Sequence, residues 1–263
     1  MKKYAKETWI LSCDMIETDI CKIIVENPYP EVGIKAGQFF GIMPSGRSNK
    51  LLRRPISVCE CDENTITFLI KVLGEGTDEL SKLKAGEKLD IMGPLGNGFD
   101  VDGSKKALVV GGGIGTAPLV QLLSELENQG QRNVRTLLGY KERPYGLDLF
   151  GKHTNNLLTS SETLAMPHKG YVTEFMLEAL KTEVYEMVYA CGPEPMLNCI
   201  QAVCNELNVP VQLSIEERMA CGIGACLVCT CKVHSDKDDE GYDNVRTCKE
   251  GPVFLGTEVI FHD

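Results

Sequence analysis

The sequence predicts a multi-domain chain. An N-terminal antiparallel β domain, barrel or sandwich, covers residues 1–100, and a central α/β domain with a parallel sheet covers 101–210. A small C-terminal cysteine module covers 211–263. Three observations predict this. The first hundred residues carry short β-branched or alternating runs punctuated by Gly and Pro. The rhythm then changes to apolar strand, glycine turn and helix. Finally, cysteines crowd the stretch Glu216–Lys232, EERMACGIGACLVCTCK.

In the first domain the strand-like runs are Thr8–Cys13, Ile20–Val25, Gln38–Met43, Ile56–Cys59, Thr65–Val72 and Lys88–Met92, with one helix expected over Thr77–Leu83. Two motifs lie among them. Arg53-Arg54-Pro55-Ile56-Ser57 sets a guanidinium beside a hydroxyl on a backbone fixed by proline, which suits a diphosphate or a flavin edge. Lys71-Val72-Leu73-Gly74-Glu75-Gly76-Thr77 runs from a strand through a glycine turn into a helix, whose free N–H groups favour a phosphate. Each motif alone also fits a solvated strand edge. Pro94-Leu95-Gly96-Asn97-Gly98-Phe99 closes the domain with a turn.

In the second domain Lys106–Val110 is a strand, followed by Gly111-Gly112-Gly113-Ile114-Gly115-Thr116-Ala117-Pro118 and a helix with Leu119, Leu122, Leu123 and Leu126 on one face. Strand, glycine loop and helix is the setting in which a nucleotide diphosphate rests on a helix N-terminus. The spacing is not G-x-G-x-x-G, so a turn that merely permits tight packing stays open. Further strands are expected at Val134–Tyr140, Leu157–Thr159 and Val184–Ala190, with a helix at Thr173–Leu180. The last strand delivers Cys191-Gly192-Pro193-Glu194-Pro195-Met196 ahead of a helix through Leu207. Ligands of such sheets bind outside the carboxyl ends of the strands, so both glycine-bearing turns face one crevice. Lys141 and Arg143 could meet a 2′-phosphate or stay unbound, which leaves NAD against NADP open.

In the third module Val211–Ile215 leads into the cysteine loop, and Val233–Thr247 is expected as an exposed loop or hairpin. Cys221, Cys226 and Cys229 stand at C-x4-C-x2-C, with Cys248 further on, the plant-type spacing for a [2Fe–2S] cluster. Each of the two irons takes two thiolates. Gly222 and Gly224 let the loop curl and expose backbone N–H groups to the negative cluster. A four-cysteine zinc site is the competing reading, but structural zinc sites usually bring two short-spaced pairs, and Cys248 has no near partner. Cys231, two residues past Cys229, points the other way in an extended segment and is left out of the ligand set.

Composition narrows the function classes. The 263 residues carry 27 Lys plus Arg and 37 Asp plus Glu, a net charge of −10, which speaks against nucleic-acid binding. The N-terminal segment shows no apolar signal-peptide core, and no run reaches membrane-spanning length. Reduced thiols in a cytoplasmic setting follow, which disfavours a disulfide framework for the 12 cysteines. Cys13, Cys21, Cys59, Cys61, Cys199 and Cys204 are expected as small buried hydrophobes.

With RPIS, the glycine turn ending in Gly76-Thr77, GGGIGTAPL, CGPEPM and the cysteine loop in this order, the chain resembles the ferredoxin reductase superfamily over nearly its whole length. Within it, ERMACGIGAC-x2-C followed by C-x-x-GPVF closely resembles electron-transfer subunits of the NAD-dependent, class B dihydroorotate dehydrogenases. That resemblance implies a β-barrel holding FAD through Arg54, Pro55, Ile56, Ser57, Leu69, Ile70, Lys71, Gly76 and Thr77. It implies NAD(H) at Gly111, Gly112, Gly113, Gly115, Cys191, Gly192 and Pro193, and a [2Fe–2S] cluster on Cys221, Cys226, Cys229 and Cys248. Thr159–Gly170 carries no clear sugar-binding signature. The resemblance further implies a catalytic partner subunit carrying FMN, in a heterotetramer with two of each chain. Dihydroorotate would be oxidised there, for pyrimidine biosynthesis, with no general base in this chain. A stand-alone or bifurcating NAD(P)H:ferredoxin-type reductase uses the same modules and is the alternative. A non-enzymatic module that senses oxidants through its cluster, or carries structural zinc, is the third reading.

Overall fold

The computed structural model describes residues 4–44, 51–164, 168–235 and 241–261. Strands β1 (Tyr4–Glu17), β2 (Ile20–Glu26), β3 (Phe39–Ile42), β4 (Arg54–Cys61) and β5 (Thr65–Lys71) precede helix α1 (Glu75–Ser81) and strand β6 (Lys88–Leu95). They close an antiparallel barrel in the order β1-β2-β5-β4-β3-β6, so the barrel is formed and the sandwich is not. Ile23, Val25, Phe40, Val58, Phe68 and Ile91 fill its interior, every one fully buried. β1 is much longer than Thr8–Cys13. Its first half pairs with β6, from Tyr4 opposite Gly93 to Trp9 opposite Lys88, and its second half pairs with β2. A register shift between Ile10 and Ser12 lets it change partner, and this one strand closes the barrel.

Helix α1 begins at Glu75, two residues ahead of the expected Thr77. The Thr77 hydroxyl accepts the N–H groups of Leu73 at 2.9 Å and Gly74 at 3.2 Å, and Asp78 N–H donates to the Gly74 carbonyl at 2.9 Å. The turn is thereby drawn into the helix start.

The α/β domain follows with β7 (Ala107–Gly112), a 3₁₀ turn (Gly113–Thr116), α2 (Ala117–Asn128), β8 (Arg135–Tyr140), α3 (Leu147–Phe150), β9 (Leu157–Ser161) and α4 (Val172–Thr182). Next come β10 (Met187–Cys191), α5 (Glu194–Leu207) and β11 (Val211–Ser214). The rest of the chain forms β12 (Thr230–His234), β13 (Tyr242–Arg246), β14 (Val253–Leu255) and β15 (Val259–Ile260). One six-stranded sheet runs β14-β11-β10-β7-β8-β9, parallel except for β14. Its central strands are apolar on both faces, because Ala107 and Val109 pack under α2 while Leu108 and Val110 pack under α4 and α5.

One sequence expectation is extended here and another is corrected. Val211–Ile215 is not merely a lead into the cysteine loop, since β11 pairs in parallel with β10, and β14 returns antiparallel beside it. The sheet therefore reaches past residue 210 and takes back a strand from beyond the cysteines. Cys199 is exposed rather than buried, because α5 turns Leu197, Ile200 and Cys204 inward and Cys199 falls outside that stripe.

The barrel and the α/β domain share one core, in which Ala36, Cys59, Leu69 and Phe99 join the residues under α2. Polar contacts cross the same seam. Cys61 N–H donates to Gln121 Oε1 at 2.9 Å, Ala36 N–H donates to Glu125 Oε1 at 2.6 Å, and Lys152 pairs with Glu60 at 2.7 Å. The cysteine module is a β13-β12-β15 sheet in which β12 and β13 pair antiparallel, and residues 236–240 of the expected loop or hairpin Val233–Thr247 lie outside the described residues. Cys231 is buried in the core with Phe254 and Val259.

Candidate cofactor sites

The first site is a ledge on the barrel. Arg54, Pro55, Ile56 and Ser57 stand on β4 opposite Ile42, Gly41, Phe40 and Phe39 of β3. The two adjacent arginines differ. Arg53 is committed to Asp90 by a two-pronged contact at 3.0 and 2.7 Å. Arg54 has no carboxylate partner among the described residues and donates to the Leu52 carbonyl at 2.8 Å. Its guanidinium lies against Gly76, where an added Cβ would come within 2.4 Å of Nε. The structure thus joins the RPIS motif to the glycine turn of α1. Leu69 and Ile70 are different in kind, with side chains buried in the interdomain core and in the barrel. The β4–β5 ladder ends at Val58–Phe68, so the Leu69–Lys71 backbone continues with β2 alone beside it. Lys71 pairs with Asp19 at 3.7 Å.

The second site is the crevice at the carboxyl ends of β7 and β10, where Gly111 pairs with Cys191. A Cβ on Gly115 would lie 2.6 Å from Gly192 Cα, and one on Gly112 would lie 2.5 Å from Met196 Sδ. A Cβ on Gly111 would meet Leu119 at 2.7 Å. Gly112 and Gly115 let the two turns abut, while Gly111 lets its strand pack closely against Leu119 of α2. Gly113 alone combines a positive φ of 55° with open space around its Cα. Burial pushes the Cys191 thiol up to about 12, against a hydrogen bond from Ser214 that works the other way. Lys141 and Arg143 are exposed past the end of β8.

The third site is the cysteine loop. Gly222, Gly224 and Leu227 have φ of 68°, 82° and 61°, left-handed positions that curl the chain. Backbone N–H groups point at sulfur: Gly224 to Cys248 Sγ at 3.1 Å, and Ala225 and Cys226 to Cys221 Sγ at 3.3 and 3.4 Å. Burial works against ionisation of Cys221, but the Ile223 N–H, the Cys226 thiol and these N–H groups prevail and bring it down to about 6. Cys248, fully buried, is pushed up to about 12 by burial and then by its neighbour Cys229. The thiols thus fall in two pairs, Cys221 with Cys226, whose N–H it accepts, and Cys229 with Cys248, which share one apolar cluster. Among the described residues, no three Cys, His, Asp or Glu converge as a site for a single ion. Two sulfur pairs under inward N–H donors fit a centre of two irons, each taking two thiolates. Arg246 ties the loop down, donating to the Gly224 carbonyl at 3.1 Å and pairing with Glu250.

A cavity of about 570 Å³ lies where these sites meet. Pro55 of the ledge, Gly192 and Pro193 of the crevice, and Ile215–Met219 ahead of Cys221 share its wall, with Val259–Phe261 beside them. The sequence reading assigned no role to Ile215–Met219. The signal was there, because once β11 is a strand of the sheet these residues leave its carboxyl end, as the other two ligand turns leave theirs.

A barrel ledge whose Arg54 has no carboxylate partner among the described residues, an α/β crevice and the approach to a cysteine loop, meeting at one cavity, define a flavin- and nicotinamide-dependent reductase with an iron–sulfur module. Residues 216–260 match the iron–sulfur cluster binding domain of dihydroorotate dehydrogenase B, and residues 109–202 match the oxidoreductase NAD-binding domain. The electron transfer subunit of dihydroorotate dehydrogenase B (NAD(+)) from Clostridium acetobutylicum is 43% identical over 249 residues, 94% of each chain. Its counterpart from Clostridium perfringens is 40% identical over 92% of each chain. Among solved structures, an NADH-dependent reduced ferredoxin-NADP oxidoreductase studied for flavin-based electron bifurcation superposes with a TM-score of 0.83 at 28% identity. That match covers 96% of this chain and 89% of the other. A cytochrome P450 reductase from Amycolatopsis shares the fold, with a TM-score of 0.64 at 20% identity over 78% of this chain and 67% of the other. The chain belongs to the family of dihydroorotate dehydrogenase B (NAD(+)) electron transfer subunits.

Proposed function

We propose that the chain carries electrons between a dihydroorotate-oxidising, FMN-containing catalytic subunit and NAD+, through a [2Fe–2S] cluster and FAD, in pyrimidine biosynthesis. When bound, nicotinamide exchanges a hydride, the cluster passes single electrons and the flavin does both, so FAD stands between the other two. The chain's own work is holding and spacing. Arg54, with no carboxylate partner among the described residues, supplies a cation for the FAD diphosphate, with Pro55, Ile56 and Ser57 along the ledge, the Leu69–Lys71 backbone at its side, and Gly76 and Thr77 at the start of α1. Gly112 and Gly115 bring the two nucleotide turns together, and Gly111 seats the first of them against α2. Gly113 and the Cys191-Gly192-Pro193 turn then face the nicotinamide nucleotide. Cys221, Cys226, Cys229 and Cys248 hold the cluster. Ile223, Leu227 and Val228, each about half exposed or more beside the exposed Cys226, offer the partner an apolar face.

One observation carries this reading: the ledge, the crevice and the approach to Cys221 line the same cavity. Dihydroorotate oxidation itself belongs to the partner, in a complex with two copies of each chain, placed in the cytoplasm. No helix among the described residues is long and apolar enough to cross a membrane. The test is reconstitution with the FMN subunit, where dihydroorotate-dependent reduction of NAD+ is expected only when both chains are present. A chain that reduces ferredoxin with NADH and never couples to the FMN subunit would refute the proposal in favour of a free-standing reductase.

A further inference from the structure

The two thiol pairs are not equivalent. Cys226 is exposed and Cys221 partly so, while Cys229 and Cys248 are 2% and 0% exposed. What buries the inner pair is the barrel. Phe39 and Leu95 form one apolar cluster with Cys229 and Cys248, with Met92 and Met219 at its margin. Phe39 stands opposite Ser57 in the β3–β4 register and opposite Leu95 in the β3–β6 register. Its ring also reaches the cysteine loop, since a Cβ on Gly222 would lie 3.9 Å from Phe39 Cε2 and 3.5 Å from Leu95 Cδ1. Two residues beyond Leu95, Asn97 grips the chain just after Cys248. Its N–H donates to the Gly251 carbonyl at 2.6 Å, and its side-chain amide donates to the carbonyls of Glu250 at 2.8 Å and Lys249 at 3.3 Å.

We propose that Phe39, Leu95 and Asn97 are positioning residues for electron transfer, a barrel-borne seat that fixes the inner thiolates against the strand carrying the flavin motif and keeps water from between them. The proposal rests on the reading above, with FAD along β4 and the cluster among the four cysteines. The crossing concerned moves one electron and no atom. Two crossings match one hydride from NADH, and one proton is released to solvent. Phe39 reaches the cysteine loop with its ring and is paired through its backbone with the strand of the flavin motif, so the gap is set by packing rather than by a hinge.

The test uses the full chain, purified anaerobically and assayed for flavin and iron before kinetics. NADH reduction is followed by stopped flow, with flavin bleaching read apart from cluster reduction, and the reduced cluster is examined by electron paramagnetic resonance. Phe39→Ala is expected to leave flavin bleaching by NADH unchanged, to slow cluster reduction several-fold and to alter the cluster spectrum. Phe39→Leu, which keeps an apolar side chain there, is expected to recover most of the rate. Asn97→Asp removes both side-chain donors at nearly constant shape and is expected to raise thiol labelling of Cys248 in cluster-free chain. Full cofactor content with wild-type cluster reduction, spectrum and labelling in Phe39→Ala and Asn97→Asp would overturn the seat while leaving the function intact. Wild-type chain that takes up neither flavin nor iron would overturn both.

Discussion

Glu125 brings a carboxylate into the seam between barrel and α/β domain, where Ala36 N–H at 2.6 Å and Gln121 Nε2 at 3.4 Å are its hydrogen-bond partners. Burial raises its pKa more than those hydrogen bonds lower it. A raised folded-state value means the protonated form is favoured by folding, so its stabilisation is present in acid and lost as pH rises through that value. Glu125→Gln keeps the acceptor and removes the charge. It is expected to melt above wild type at pH 7, with the two curves converging below about pH 4, near the usual carboxyl pKa; thermal denaturation across that range decides it. At Gly76 the constraint is space, because a methyl group would displace the Arg54 guanidinium. Gly76→Ala is expected to lower FAD retention on gel filtration with little loss of folded structure by circular dichroism. These two residues show the limits of legibility at this scale. Gly76 could be read from its motif, since a glycine beside a helix start has few other reasons to be there. Glu125 could not, because on the helix pattern of α2 it looks like a solvated position until the barrel is laid over it.

At the scale of elements, the pattern of apolar residues located nearly every strand and helix but misjudged their reach. β1 runs on because it pairs with two different strands, and pairing leaves no mark on side-chain alternation. α1 starts early because a hydroxyl three residues in organises the turn before it. β11 was read only as the lead into the cysteine loop, because so short a segment carries little strand signal until β10 lies beside it. The two nucleotide turns were legible as motifs, though not their mutual contact, which exists because Gly115 and Gly192 both lack side chains. Gly115→Ala must push these turns apart. Its KM for NADH is expected to rise roughly tenfold, about 1.4 kcal/mol of binding, with flavin content unchanged; steady-state kinetics against an artificial electron acceptor would show whether it does.

For the whole molecule, the three groups of motifs were legible along the chain, while the cavity joining their neighbourhoods depended on tertiary packing. Separate sites imply separable losses. Cys226→Ser removes the exposed thiol of the outer pair and is expected to abolish the cluster and electron exchange with the partner. Flavin reduction by NADH should continue, and an accompanying loss of flavin bleaching in stopped flow would show that the modules do not act independently. The strands on either side of the cysteine module carry a last implication. β11 departs from the nucleotide sheet and β14 rejoins it alongside, with Ile215 N–H bonded to the Pro252 carbonyl. The intervening chain is therefore a graft on a hairpin rather than a tethered appendage, rooted at both ends in adjacent strands. Such a graft does not swing out to seek its electron-transfer partner, so the partner must come to it. A tight turn spliced between those two roots would leave a smaller protein, able to trade hydride between nucleotide and flavin but with no one-electron outlet.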